Sequence, residues 1–147
     1  MGDAEDYGMP AVQPPAPLFA RAVEGPFARS EMRPTPLEGL VAGIIWRHQG
    51  RENPVPLMEV IRLAGCKLPA LSERKLKEIV QQLRVAHRCP IGARRAEPVG
   101  YFWIADAEDH EYALRPYREQ VIEMFRVLRA LDSRGRLSEL LGQLTLD

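Results

Sequence analysis

The sequence predicts a mainly α-helical domain that carries one small β-hairpin and runs on into a long C-terminal helix. Three observations carry that expectation. Apolar residues recur at spacings of three and four in several stretches, the mark of helices with one buried face. The stretch Val99 to Ile104 alternates instead, as a strand does when its two faces meet different surroundings. Thr35, Ser72 and Asp106 stand where helices should begin, and Gly50, Gly65 and Gly135 where they should stop.

Taken in order, residues 1–34 form a Pro- and Ala-rich arm, with Pro10, Pro14, Pro15, Pro17, Pro26 and Pro34. Each proline removes a backbone donor and disfavours helix at the residue before it, so a disordered arm is expected, with Leu18 to Phe27 as a short anchoring segment. The ordered domain is placed at residues 35–132. Its first helix begins at Thr35-Pro36, a good cap followed by a residue suited to the first helical position. Leu37, Leu40, Val41, Ile44 and His48 fall on one stripe with Ile45 beside it, and Gly50 stops the helix. Pro56 opens a second helix in which Leu57, Val60, Ile61 and Ala64 share a face, closed by Gly65. A turn through Pro69 to Leu71 follows.

Ser72 then caps a third helix, where Leu76, Ile79, Val80 and Leu83 follow i, i+3, i+4, i+7. With those four inward, 100° per residue turns Arg74, Glu78 and Gln81 outward and sets Lys75, Lys77 and Gln82 on the flanks. Arg88 to Ala93 reads as a strand, Arg94 to Pro98 as a polar turn, and Val99 to Ile104 as the returning strand. In the latter, Tyr101 and Trp103 share one face while Phe102 and Ile104 share the other. Asp106 caps a final helical region that includes the acidic cluster Asp106, Glu108, Asp109 and Glu111, where carboxylates suit the helix dipole. Pro116 should end or kink the first part of that region. Beyond it, Leu114, Tyr117, Val121, Met124, Leu128 and Leu131 keep alternating spacings of three and four, a heptad seam of under three repeats. Residues 133–147 are a short extension in which Leu137 to Leu144 could form one more short helix.

Formal net charge is zero, but its distribution is uneven. Residues 37–105 hold 11 basic and 6 acidic side chains, while the segments on either side are net acidic. Positive charge therefore gathers where a nucleic-acid surface would need it. Cys66 and Cys89 form no CxxC pair or disulfide framework. His87-x-Cys89 is too isolated from His48 and Cys66 for a four-ligand zinc site, so no metal and no cofactor is expected. No apolar run approaches the ~18 residues of a membrane span, and the acidic start is unlike a signal peptide. A cytoplasmic location is the expectation. There is no glycine-rich phosphate loop, GxSxG or HExxH motif, so an enzyme is not expected.

From Leu40 to Leu131 the chain resembles winged helix-turn-helix domains of bacterial and phage regulatory and replication proteins. The resemblance rests on "LSERKLKEIVQQLR" as the second helix of the pair broken at Gly65. It rests also on "CPIGARRAEPVGYFWIAD" as the wing and on "ALRPYREQVIEMFRVLRAL" as the helix after it. It implies sequence-specific binding of double-stranded DNA by a transcriptional regulator or replication-associated factor. Arg74, Lys75, Lys77, Gln81 and Gln82 would be the helix contacts, and Arg94 and Arg95 the wing contacts. The seam from Leu114 to Leu131 adds the expectation of a homodimer on two half-sites, against a last helix that simply packs on its own domain. The alternative function is a non-catalytic protein-protein interaction module on the same fold. It would gain if Glu73, Glu78 and Glu97 interrupt the basic patch.

Overall fold

The computed structural model describes residues 25–65 and 71–132, together with Gly135, Arg136, Glu139, Gly142 and Gln143. These form four α-helices and one two-stranded antiparallel sheet: α1 (Pro36–Trp46), α2 (Leu57–Gly65), α3 (Glu73–Val85), β1 (Ile91–Arg94), β2 (Gly100–Trp103) and α4 (Ala107–Leu131). The expected turn before Leu71 and the expected helix from Leu137 to Leu144 lie largely outside the described residues.

Thr35 starts α1 with a reciprocal cap. Its Oγ1 accepts from the Glu38 N–H at 3.1 Å, while Glu38 Oε1 accepts from the Thr35 N–H at 2.9 Å. The face that α1 buries is Val41, Ala42 and Ile45, with Leu37, Leu40 and Ile44 packed at its margin. His48 is not on the stripe, because α1 ends at Trp46 and the chain turns away. Instead His48 Nδ1 lies 3.1 Å from the carbonyl oxygen of Asn53. On α3 all four predicted residues, Leu76, Ile79, Val80 and Leu83, are buried. They close a core against Val60 and Ala64 of α2, the α1 face, and Trp103.

The sheet separates two cores. Its register pairs Ile91 with Trp103, Gly92 with Phe102, Ala93 with Tyr101 and Arg94 with Gly100. Trp103 and Tyr101 face the three-helix core, whereas Phe102 and Ile104 face Ala113 and Tyr112 of α4, as the alternation predicts. Gly92 is required opposite Phe102: a Cβ there would overlap the ring, with Cε2 only 2.8 Å away. The α1–α2 connection runs along the outer edge of β2. Val55 exchanges both backbone hydrogen bonds with Tyr101 (2.7 and 2.9 Å), and Trp103 bonds to Gly50 and His48 (2.8 Å each). Gly50, at φ +89°, thus turns the chain onto the sheet.

Three expectations are corrected. β1 begins at Ile91, not Arg88, because Arg88 takes φ +58° and the Cys89 N–H closes the end of α3 on the Leu83 carbonyl at 2.9 Å. Pro116 does not end the last helix, which runs unbroken to Leu131. Proline's fixed φ is itself helical, so the ladder loses one bond without stopping. Finally, the attachment expected for Leu18 to Phe27 alone extends beyond that segment to Ser30. Phe27 packs on the core edge-on to His87, with ring centroids 5.3 Å apart, and the Pro26 carbonyl lies 3.4 Å from Cys89 Sγ. Burial pushes the Cys89 thiol up to about 12, so this cysteine is an inert packing group.

His87, 2% exposed, ties this segment down. Its Nδ1 lies 2.8 Å from Ser30 Oγ, and its Nε2 donates to Glu38 Oε1 at 2.9 Å. Partial burial pushes the Glu38 carboxyl up, but the Thr35 N–H and His87 outweigh it and hold the group below its ordinary value of 4.5. A depressed folded value stabilises the fold above that pH and loses the effect as pH falls through it. The urea midpoint should therefore drop as pH is lowered through the carboxylate range, and Glu38→Gln should weaken that dependence. Equal acid sensitivity in the two proteins would show that Glu38 plays no such part.

Candidate nucleic-acid interface

Ser72 fixes where α3 begins, its Oγ accepting from the Lys75 N–H at 3.1 Å. The helix then turns Arg74, Lys75, Lys77, Gln81 and Gln82 to solvent, all five exposed. Carboxylates share this face. Arg74 Nε stands 3.5 Å from Glu78 and Lys77 Nζ 3.6 Å from Glu73, both one turn apart. The side chains of Lys75, Gln81 and Gln82 have no hydrogen bond or ion pair among the described residues. Exposed pairs of this kind contribute roughly 0.2–1 kcal/mol, so an incoming phosphate can displace the glutamates at little cost. The face carries three cations against two carboxylates.

The two arginines of the hairpin turn differ sharply. Arg94 is folded into the turn: Nη1 donates to the Arg51 carbonyl (2.9 Å) and to Glu52 (3.1 Å), Nε to Ala96 (3.2 Å) and Nη2 to Glu97 (3.1 Å). Its guanidinium shapes the loop and is not available to a ligand in this arrangement. Arg95 is exposed and has no ion pair among the described residues. It lies with Arg115 of α4 around a shallow hollow of about 170 Å³. Adjacent positions in a turn look alike in sequence; only the carbonyls that converge on Arg94 tell them apart.

The frame behind these groups is a buried carboxylate. Asp109, 2% exposed, accepts from Arg51 Nη1 (2.8 Å), the Arg51 N–H (3.2 Å) and the Ala105 N–H (3.0 Å). Arg51 also reaches Glu108 at 3.2 Å, and its guanidinium is held above its usual value by Asp109 first and then Glu108. Asp106 caps α4 as expected, accepting from the Asp109 N–H at 2.8 Å. So one carboxylate joins the α1–α2 connection, the end of the sheet and the start of α4.

A second cationic region was not evident in the sequence. Arg84 donates to the Ile91 carbonyl (2.9 Å) and to Tyr117 Oη (3.0 Å), and lies over that ring at 6.0 Å. With Arg29 and Arg88 it borders a groove of about 360 Å³, floored by Pro90, Ile91 and Leu114. These residues are scattered through the chain, and only the clustering of Arg84 and Arg88 could have hinted at them. Along α4 the six seam residues are all exposed, from 36% at Leu128 to 77% at Leu131. The last helix meets its own domain through Asp109, Tyr112, Ala113 and Tyr117, and from Arg118 onward none of its side chains is fully buried.

The fold and site define a mainly helical α+β domain with a charged helical face and an outlying amphipathic helix. No family model, curated protein or solved structure matches the chain. Among the described residues, no helix is long and apolar enough to cross a membrane.

Proposed function

We propose that this chain is a sequence-specific double-stranded DNA-binding protein of the winged helix-turn-helix type, serving as a transcriptional regulator or replication-associated factor. The observation that carries the reading is the outward face of α3. Four apolar residues point inward, leaving Arg74 and Gln81 on the opposite side and Lys75, Lys77 and Gln82 exposed on the flanks. The element order supports it, because the α1–α2 connection lies against β2 as a rudimentary third strand before the helix pair and hairpin. Arg74, Lys75 and Lys77 neutralise phosphates, Gln81 and Gln82 suit an adenine edge, and Arg95 reaches the backbone or minor groove. Arg94 supports the turn from within.

The test is fluorescence anisotropy on random duplex DNA across a salt series. Log affinity should fall linearly with log salt, and Arg74→Ala, Lys75→Ala and Lys77→Ala combined should flatten the slope by roughly 2 to 3. Absence of binding at low salt would overturn the reading. A second reading, a protein-interaction module, is favoured by one observation: Glu73 and Glu78 stand inside the basic face and pair with its cations. A DNA-silent protein would move the assignment there.

A further inference from the structure

We propose that the groove between α3, the α3–β1 connection and α4 binds a small organic dianion, a phosphate monoester carried on an apolar body. The charge of this groove is of one sign. Arg29, Arg84 and Arg88 border it, and no Asp or Glu among the described residues lines it. Elsewhere in this chain of zero net charge, Arg74, Lys77, Arg94, Arg118 and Arg126 each stand within 3.6 Å of a carboxylate oxygen. The carboxylates adjoining the groove have other partners or lie outside it. Asp109 and Glu111, on either side of His110 at its edge, accept from Arg51 and Arg118. Glu38, which acts on Cys89 electrostatically, accepts from the Thr35 N–H and His87. Glu31, two residues from Arg29, is exposed and does not line the groove.

Every one of these cations keeps donors to spare. Arg84 gives Nε to the Ile91 carbonyl and Nη1 to Tyr117 Oη, which fixes its guanidinium and leaves Nη2 without a bond among the described residues. Tyr117 accepts in that pair, so its own O–H is left to donate. The side chains of Arg29 and Arg88 have no hydrogen bond or ion pair among the described residues. The Arg88 backbone takes φ +58°, where glycine would be the unstrained residue, so a cation without a partner occupies a position that disfavours it.

A single carboxylate would leave most of this charge unanswered. A phosphate monoester brings close to two charges and three acceptor oxygens to one point, where several forked donors can share them. The remaining surface is apolar: Pro90, Ile91 and Leu114 floor a space of about 360 Å³, which is of small-molecule size and more than a bare phosphate ion fills. DNA phosphates are diesters with one charge and no apolar body, so this is a site apart from the α3 face.

Isothermal titration calorimetry of the full chain with phenyl phosphate, at about pH 7.5 where the probe is a dianion, tests the proposal. A saturable isotherm with Kd below about 1 mM is expected. Inorganic phosphate has the charge without the body, and benzoate the body with a single charge; each should bind roughly tenfold more weakly or worse. Arg29→Gln combined with Arg88→Gln should weaken phenyl phosphate by roughly tenfold or more. Neither side chain has a partner in the fold, so the urea midpoint of that variant should not move. Leu114→Ala should weaken phenyl phosphate and leave inorganic phosphate as it was. A Kd for phenyl phosphate above that limit overturns the proposal, as does a double variant that binds like the native chain. So does equal affinity for inorganic phosphate, which would mean an adventitious ion only, or equal affinity for benzoate. The probes contain no nucleic acid, so each of these outcomes stands whether or not the chain binds DNA.

Discussion

Asp109→Ala should lower the free energy of unfolding by about 1 to 3 kcal/mol, the usual cost of leaving hydrogen-bond donors without their partner. The carboxylate is 2% exposed and its oxygens receive the Arg51 side chain and two backbone N–H groups. Alanine would take the acceptor from the Arg51 and Ala105 backbone N–H groups and leave the part-exposed Arg51 guanidinium with Glu108 alone, and an unsatisfied donor costs more than the hydrogen bond itself contributes. Asp109→Asn keeps the shape but offers an amide N–H to one of the donors, so its loss should be intermediate. Glu108 pairs with the same arginine but is 81% exposed, and Glu108→Ala should leave stability nearly unchanged. Urea denaturation of the three variants checks this. Similar midpoints for Asp109→Ala and Glu108→Ala would show that the buried carboxylate does not hold the junction together.

Asp109 also marks where sequence reasoning stops. Its position in an acidic cluster at a helix start is explained by the dipole, and Asp106 does serve as the cap. That Asp109 is different depends on Arg51, 58 residues earlier. The His87 network has the same character, with Ser30 at 57 residues and Glu38 at 49 residues along the chain. Hydrogen bonds across such separations leave no periodicity. Consequently the composition of residues 1–34 suggested a disordered arm anchored only over Leu18 to Phe27, and the groups that secure Phe27 and Ser30 are ones that the local sequence cannot reveal.

Where a pattern is local and repeated, it was legible. The α3 stripe, the alternation of Tyr101 to Ile104, and the caps at Thr35, Ser72 and Asp106 all follow from residues within a turn or two of each other. On the candidate interface, exposure of the α3 cations and glutamines follows from the stripe by geometry alone. The inward fold of Arg94 does not, because its four acceptors come from the turn and from the α1–α2 connection. Nor could the seam on α4 say what it touches. A helix packed on its own domain and a helix left open have the same heptads, and only the exposure from Val121 to Leu131 distinguishes them.

The alternation in β2 leads to the other large expected effect. Phe102 and Trp103 are neighbours in sequence and both fully buried, yet they serve different cores. Each truncation to alanine should cost about 3 to 5 kcal/mol by lost transfer energy and cavity formation. Their consequences should differ in place. Trp103 lies among Ile45, Val60, Leu76 and Leu83, so Trp103→Ala should weaken α1, α2 and α3 together. Phe102 contacts the base of α4, with Tyr112 at 6.2 Å between ring centroids and Ala113 beside it. Besides this seat, the Asp109 junction at its start and the Arg84–Tyr117 contact hold α4, so Phe102→Ala should release it first. Hydrogen exchange should then show faster exchange along α4 while the α3 amides keep their protection, since regions with few buried contacts open below the global unfolding energy. Uniform acceleration in Phe102→Ala would mean that the sheet does not divide the domain into two cores. Selective release would mean that the position of α4 depends on one aromatic ring seated over Gly92.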